Sequence, residues 1–590
     1  MLHRNIVNAE RRPRGNRRGR NLKHGAAIFC AVACAIVLSL AVTSCSSAPS
    51  APDAALNSLS VDRLMANIKT LSSDQFEGRG PGSNGENLTI KYMENQFRAS
   101  GLEAGNPDGT FLQNVPLVSI TPQPGVKIAL TAHGQTLSPA FPKDFVAWTK
   151  RVVEKSSIDA DLIFVGYGVQ APEFNWDDFK GVDVRGKVIV VLINDPPMPD
   201  PKDPLKLDPN TFGGNAMTYY GRWTYKYEKA AELGAAGCFI IHDTAGAGYP
   251  WEVVENGRSG EQFTLNTPDK AMNRAAIEGW FSGATATKLF KMGGQDLVAL
   301  RKAAVNRDFH PVPLNIHAKL DLTNTLHTLD SHNVIAKITG SDPKLKDEYV
   351  IYSAHWDHFG VGPAVNGDKI YHGAKDNAAG SSALLEIARA YKQLKAPPRR
   401  TILFLSVTAE EQGLLGSQYY SEHPLYSLAR TAANINMDGM DVLGRTRDIV
   451  MIGKGASTLD QIVEDVARNQ GRTVKPDPEP EKGFYYRSDH FNFAKHGVPA
   501  FDPDEGVDYI GKPDGWGLQM RDKYTTEDYH KPSDVIKPYW DLSGAVEDCK
   551  LFFLVGYQAA NAAQTPQWNP GSEFKAIRDA SLKEAHGQGN

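Results

Sequence analysis

"EYVIYSAHWDHFG", residues 348–360, is the stretch on which the fold turns. It opens as an aromatic and β-branched apolar run of the length of a buried strand. It then places His355, Asp357 and His358 within four positions. A buried strand that runs into imidazoles and a carboxylate fits the carboxyl edge of a parallel sheet, where α/β proteins collect their ligands. Three other runs have the same build: "RTILFLSVTA" (400–409), "ANINMD" (433–438) and "PAFDPD" (499–504). Each starts apolar and meets polar residues at its C-terminal end. "SSALLEIARAYKQLK" (381–395) and "DLSGAVEDCKLFFLVGYQAANAA" (541–563) carry helical spacing. Strands alternating with helices predict an α/β protein with a mostly parallel, twisted sheet flanked by helices.

At 590 residues the chain exceeds what one core organises. Upstream, "SVDRLMANIKTLSS" (60–73) and "LTIKYMENQFRASG" (88–101) read as helices on either side of the Gly-rich loop "FEGRGPGSNG" (76–85). The texture then changes. "ADLIFVGYGVQAPEFNWDDFKGVDVRGKVIVVLINDPP" (160–197) reads strand, turn, strand, and "YKYEKAAELGAAGCFIIHD" (225–243) reads helix, Gly turn, strand. Together they resemble a protease-associated domain, a small β-rich module inserted in exported peptidases. The expected organisation is therefore a catalytic domain in two parts, 59–144 and 321–565, around an inserted module at 145–320. A polar tail occupies 566–590. No internal repeat or coiled coil is present.

The net charge of −4 conceals an asymmetry. Residues 1–24 carry eight Lys and Arg against Glu10, so the remainder of the chain is at −11. That acidic remainder excludes a nucleic-acid partner, which needs a basic face. The basic start precedes "AAIFCAVACAIVLSLAV" (26–42), which reads as the apolar part of an export signal. "VTSC" (42–45) resembles the lipobox of bacterial lipoproteins, which implies lipidation at Cys45 and a membrane-anchored, exported chain. An uncleaved anchor helix is the alternative. "SSAPSAPDAA" (46–55) supports the first reading, as part of a flexible tether over 46–58. "RRGRNLK" (17–23) has only an imperfect twin-arginine register. Of five cysteines, Cys30 and Cys34 fall in the signal, and only Cys238 and Cys549 lie beyond Cys45. There is no Cys-x-x-Cys pair, so a metal here would be held by imidazoles and carboxylates.

Those side chains recur at the predicted strand ends: His355 and Asp357, Asp376 in "GAKDNAAG" (373–380), Glu410 and Glu411 in "TAEEQGLLGS" (408–417), and Asp438 in "NINMDG" (434–439). His530 stands apart in "YHKPSD" (529–534). Singly each has a plain explanation. Acidic pairs favour helix N-termini, and Asp favours turns. As a set they meet the requirement of two neighbouring divalent ions: a shared carboxylate, one further carboxylate and one imidazole for each ion, and a spare base.

"AHWDH", "AKDNAAG", "TAEEQGLLGS", "INMD", "RSDHFNF" and "YHKPSD" resemble, in order and spacing, the motifs of the M28 family of zinc peptidases. "LSSDQFEGRGPG" (71–82) resembles a segment of its bacterial members. The resemblance covers about 55–145 and 325–565. It implies two zinc ions, with Asp376 bridging, His355 and Asp438 completing one, and Glu411 and His530 the other. It implies Glu410 as general base, a cis bond after Asp376, and a peptide substrate contacted by Arg487 and by Tyr529, which would also serve the oxyanion. Asp357 is placed to orient the His355 ring, and His358 is read as a neighbour. The expected function is an exported di-zinc aminopeptidase. The rivals are a carboxypeptidase of the same superfamily, a glutaminyl cyclase on a related scaffold, and a non-catalytic peptide-binding surface protein.

Overall fold

The computed structural model describes residues 52–587. The expected export signal, Cys45 and residues 46–51 of the expected tether fall outside them, while Asp53–Asn57 of that tether forms a short helix with Ala55 buried. Among the described residues no helix is long and apolar enough to cross a membrane.

Two amphipathic helices follow that short one. In α1 (Val61–Leu71) the Ser60 hydroxyl caps the N-terminus, and Leu64, Ile68 and Leu71 recur on the buried face. In α2 (Asn84–Ala99) Ser83 is the cap, and Ile90, Met93 and Phe97 are buried. Strand β1 (Leu112–Pro122) leads out of this layer.

A second sheet follows, with a core of its own. Its strands are β2 (Ile128–Ala132), β3 (Phe145–Trp148), β4 (Lys155–Phe164), β5 (Val188–Leu192), β6 (Gly237–Ile241) and β8 (Ile277–Phe281). Helices α3 (Trp223–Glu232) and α4 (Trp251–Arg258) and strand β7 (Gln262–Leu265) are interleaved with them. The order across this sheet is β3, β8, β6, β5, β4, with β8, β6, β5 and β4 mutually parallel. One face packs Phe164, Phe239 and Phe281, and the other packs Trp148, Tyr227 and Cys238.

Both sheets share one strand. β9 (Val312–Ile338) runs for 27 residues. Its first half pairs with β4 and β2, its middle with β1, and its end with a strand of the principal sheet.

That principal sheet is built from β10 (Tyr349–His355), β11 (Thr401–Val407), β12 (Thr431–Asn436), β13 (Asp448–Ile452), β14 (Thr473–Pro476) and β15 (Ala500–Asp504). The order is β9, β11, β10, β12, β15, β13, β14. The four central strands, β11, β10, β12 and β15, are parallel. β11 and β12 are buried along their whole length, which is why they read as near-continuous apolar runs without alternation. Helices α5 (Gly380–Tyr391) and α7 (Ser543–Asn561) cover one face, while α6 (Trp516–Glu527) leads toward His530.

The α/β reading with a mostly parallel central sheet is what the structure shows. Beyond residue 564 the chain forms α8 (Lys575–Gly587). Its Arg578 is buried and donates to the carbonyls of Leu428 and Thr431 at 3.0 and 2.9 Å, and Trp568 donates to the Gly497 carbonyl.

Candidate metal centre

His355 is the last residue of β10, Glu410 and Glu411 follow β11, and Asp438 follows β12. Parallel strands end on one edge of their sheet, so these three chain segments deliver their polar residues to one place. Asp376 arrives on the turn before α5 and His530 on the turn after α6. Ala409 and His530 both hold positive φ, 51° and 57°, in the region costly for residues with a side chain. The Asp376–Asn377 bond is cis.

The side chains converge. His355 Nε2 lies 3.0 Å from Asp438 Oδ1 and 3.4 Å from Asp376 Oδ1. The other Asp376 oxygen lies 3.4 Å from His530 Nε2, which is itself 3.1 Å from Glu411 Oε2. One carboxylate thus stands between two imidazole–carboxylate pairs. Glu410 and Asp438 face the same cavity as Asp376.

The electrostatics are those of a site short of positive charge. Burial opposes ionisation of Asp376, yet His355 and His530 hold its carboxyl well below the usual range. Burial and Asp376 both work against the Glu411 charge, but His530 and His358 hold it at about 2. Burial likewise opposes the imidazolium of His530, and Glu411 and Asp376 raise it to about 9. His355 too is raised well above the ordinary value, against burial, chiefly by Asp438 and Glu410. Glu410 goes the other way: burial first, then Asp438 and Glu411, push its carboxyl well above the ordinary value.

These residues fit a pair of cations. The donor atoms of His355, Asp376 and Asp438 lie within 4.8 Å of one another. So do those of His358, Asp376 and Glu411. Glu411 Oε1 is buried without a hydrogen-bond partner, an orphan acceptor that a cation would satisfy. A donor set of imidazole nitrogen and carboxylate oxygen without thiolate suits catalytic zinc.

The second group offers a choice of imidazole. His358 Nδ1 is 2.6 Å from Glu411 Oε1, without hydrogen-bond alignment. His530 is the better ligand, because its Nε2 approaches both Asp376 and Glu411 and its ring lines the cavity. His358 is fully buried. Its closeness to Glu411 was not legible in "AHWDH", where spacing alone marks it as a loop neighbour.

Asp357 faces the His355 ring, as its spacing suggested, and has a further part. His355 Nδ1 lies 3.2 Å from the Asp357 backbone carbonyl, and the carboxylate is farther, at 3.6 Å. The carboxylate also accepts the backbone N–H groups of Glu410 and Glu411, at 3.1 and 3.4 Å. It positions the base and a ligand together. Asp534, in the quoted "YHKPSD", does the same for the Asp376 turn, accepting the N–H groups of Lys375 and Asp376. Arg79, in the Gly-rich loop, joins these segments: its guanidinium donates to the carbonyls of Trp356, Leu71, His372 and Gly373 at 2.7–2.8 Å. Neither role has a sequence signature, since each depends on which turns fold against each other.

Tyr529 is stacked on His530, ring centroids 3.7 Å apart. Arg487 forms no ion pair with Asp489, whose carboxylate accepts from the Ser417 hydroxyl at 2.5 Å. Arg487 donates instead to the Ala247 carbonyl, across from the second sheet, at 2.8 Å. The turn at Gly248 permits that approach. It holds φ +78°, and a Cβ there would meet an Arg487 nitrogen at 2.8 Å. Arg487, Tyr529, His530 and Glu410 all line both a cavity of about 560 Å³ and a smaller one of about 170 Å³.

Residues 333–553 match the model of peptidase family M28. Every ligand candidate lies within the matched residues. The chain is 36% identical over 229 residues to aminopeptidase YwaD of Bacillus subtilis, covering 38% of this chain and 39% of that one. It is 38% identical over 109 residues to carboxypeptidase Q of Rattus norvegicus, covering 18% and 21%. The match spans less than half the length of these curated relatives. Among solved structures, the aminopeptidase from Aneurinibacillus sp. strain AM-1 superposes with a TM-score of 0.52 at 19% identity, over 87% of this chain and 97% of that one. That likeness is one of fold.

Proposed function

We propose that this chain is a di-zinc aminopeptidase that releases N-terminal residues from peptides. The observation that carries the reading is Asp376 standing between two imidazole–carboxylate pairs, beside a buried Glu410 that opens onto a cavity. His355, Asp376 and Asp438 would hold one zinc ion and Asp376, Glu411 and His530 the other, and zinc there supplies Lewis acidity toward a carbonyl and a water. Glu410 takes the proton of the attacking water and returns it to the leaving amine. Its upward shift, from burial, suits a group that must both accept and donate near neutrality. Tyr529 offers a hydroxyl donor to the developing oxyanion, and His530, stacked beneath it, fixes its ring.

A carboxypeptidase of the same superfamily is the second reading, favoured by the cationic side chains of the larger cavity. The two are separated by comparing free and N-acetylated peptides with zinc-loaded protein, with and without chelator. Chelator-sensitive release of the N-terminal residue from free peptides is expected. Cleavage confined to the acetylated series would discard the aminopeptidase.

The β-rich body that carries β2–β8 is read as the protease-associated module, forming one wall of the cavity. The export signal and Cys45 support a lipid-anchored protein outside the cytoplasm. Cys45→Ser should then move the protein from the membrane to the soluble fraction, and unchanged membrane association would refute the anchor.

A further inference from the structure

The larger cavity has walls of uneven charge. Arg222 and Arg258 from the second sheet's body, with Arg487 from the M28 region, line it, and it reaches Glu410 and His530 at its far end. Among the described residues none of these three guanidiniums has a carboxylate within ion-pair distance. Arg222 stacks on Trp223, with Nε buried and without an acceptor. Arg258 stacks on Trp148 and Trp223 and donates only to the Gln262 side chain. Arg487 lies over Tyr249 and Phe484, donates to the Ala247 carbonyl, and keeps a second orphaned Nε.

The carboxylates on the same wall do not serve these cations. Glu228 accepts from the Tyr219 hydroxyl, Asp269 from Thr267 and Glu422 from Gln418. The cations burden each other instead. Burial, then Arg487 and Arg258, bring Arg222 down to about 10. Burial, then Arg258, bring Lys150 on the same wall down to about 7. Half-buried, mutually repelling guanidiniums with free donors lack an anion, and planar guanidinium matches carboxylate best.

The adjoining smaller cavity, which Arg487 also lines, offers that guanidinium no carboxylate partner either. The smaller cavity, on the Asp438 side, is walled by Asp502, Asp504 and Glu505. Asp504 and Glu505 are neutralised by Arg521 and Lys375, whereas Asp502 has no Lys or Arg partner.

We propose that Arg222, Arg258 and Arg487 form a receptor for a carboxylate on the leaving side of the scissile bond. This rests on the peptidase reading above and narrows its substrates. They are short peptides whose free C-terminus reaches the receptor, or peptides with an acidic side chain just beyond the scissile bond.

The test compares kcat/KM for Leu-Ala, Leu-Ala-amide and Leu-Glu-amide on zinc-loaded protein at fixed ionic strength. Leu-Ala should exceed its amide by roughly 30-fold, the scale of hydrogen bonds to a charged group. Recovery with Leu-Glu-amide assigns the receptor to side chains, and no recovery assigns it to the C-terminal carboxylate. Equal rates on all three overturn the proposal. Arg222→Met and Arg487→Met should each shrink the preference through KM for the carboxylate substrate more than through kcat. Because those variants can misfold, calorimetry on the unaltered protein gives a second measure. N-acetylalanine should bind more tightly than N-acetylalanine amide, and less so as salt rises. If no peptide is cleaved, the peptidase reading fails. The calorimetric difference then still judges the receptor, and equal binding of acid and amide removes it.

Discussion

Glu410→Gln should lower turnover by about 10³-fold and leave the zinc content equal to that of the unaltered protein. The two outcomes belong together because Glu410 is not among the four acids and bases that contact Asp376 or one another through the imidazoles. Gln keeps the shape and hydrogen-bonding length of Glu but takes no proton from water. The attacking water is then left without a base and the leaving amine without an acid. Metal analysis of the same preparation separates chemistry from assembly. His530→Ala should fall to one ion, whereas His358→Ala should keep both. A Glu410→Gln protein with native turnover removes the base assignment. One that has lost zinc moves Glu410 into the ligand set.

The second large effect is structural. Arg79→Met should cost about 4 kcal/mol of folding stability, since buried carbonyls that lose their partners cost about 1–3 kcal/mol each. Arg79 is 1% exposed and serves four carbonyls on three separate segments: the end of α1, the loop after His355, and the turn before Asp376. Met fills similar volume and donates nothing. The buried carboxylates of Asp357, Asp534, Asp376 and Glu411, whose fields support the guanidinium against burial, would also lose its charge. Denaturant titration should show a lower midpoint at unchanged slope. Arg79→Lys should recover little, because an ammonium cannot span the same acceptors. Stability within about 1 kcal/mol of the parent would show that water replaces the guanidinium there.

The sequence carried the fold far. "EYVIY", "RTILFLSV" and "ANIN" become parallel strands whose ends deliver His355, Glu410, Glu411 and Asp438, because a continuous apolar run in an α/β chain has few other places to go. The resemblance supplied the ligand roles of Asp376 and His530, whose nearness to the strand ends depends on turns rather than on strand register. What stayed hidden follows from folding contacts between distant segments. His358 turns inward onto Glu411. Asp357 holds the backbone of the next strand's exit as well as facing the adjoining ring. Arg222 and Arg258 lie far upstream of the matched residues 333–553, and nothing in their local sequence marks them for this cavity. The unpaired state of Arg487 was equally illegible, since Asp489 two residues later is the partner that local spacing favours.

That shared strand has a mechanical consequence. At about 3.3 Å per residue, a strand of this length is a girder of at most about 90 Å, with one irregularity near its start, where the register shifts between Pro313 and His317. It is fastened to neighbours along both halves, where an ordinary insertion would hang from two loose hinges. Rocking one sheet against the other would tear ladder hydrogen bonds, so opening and closing over a bound peptide must fall to loops and side-chain rotamers. The span between the guanidinium wall and the paired imidazoles is then a fixed gauge, and the molecule would measure its peptides more than it embraces them.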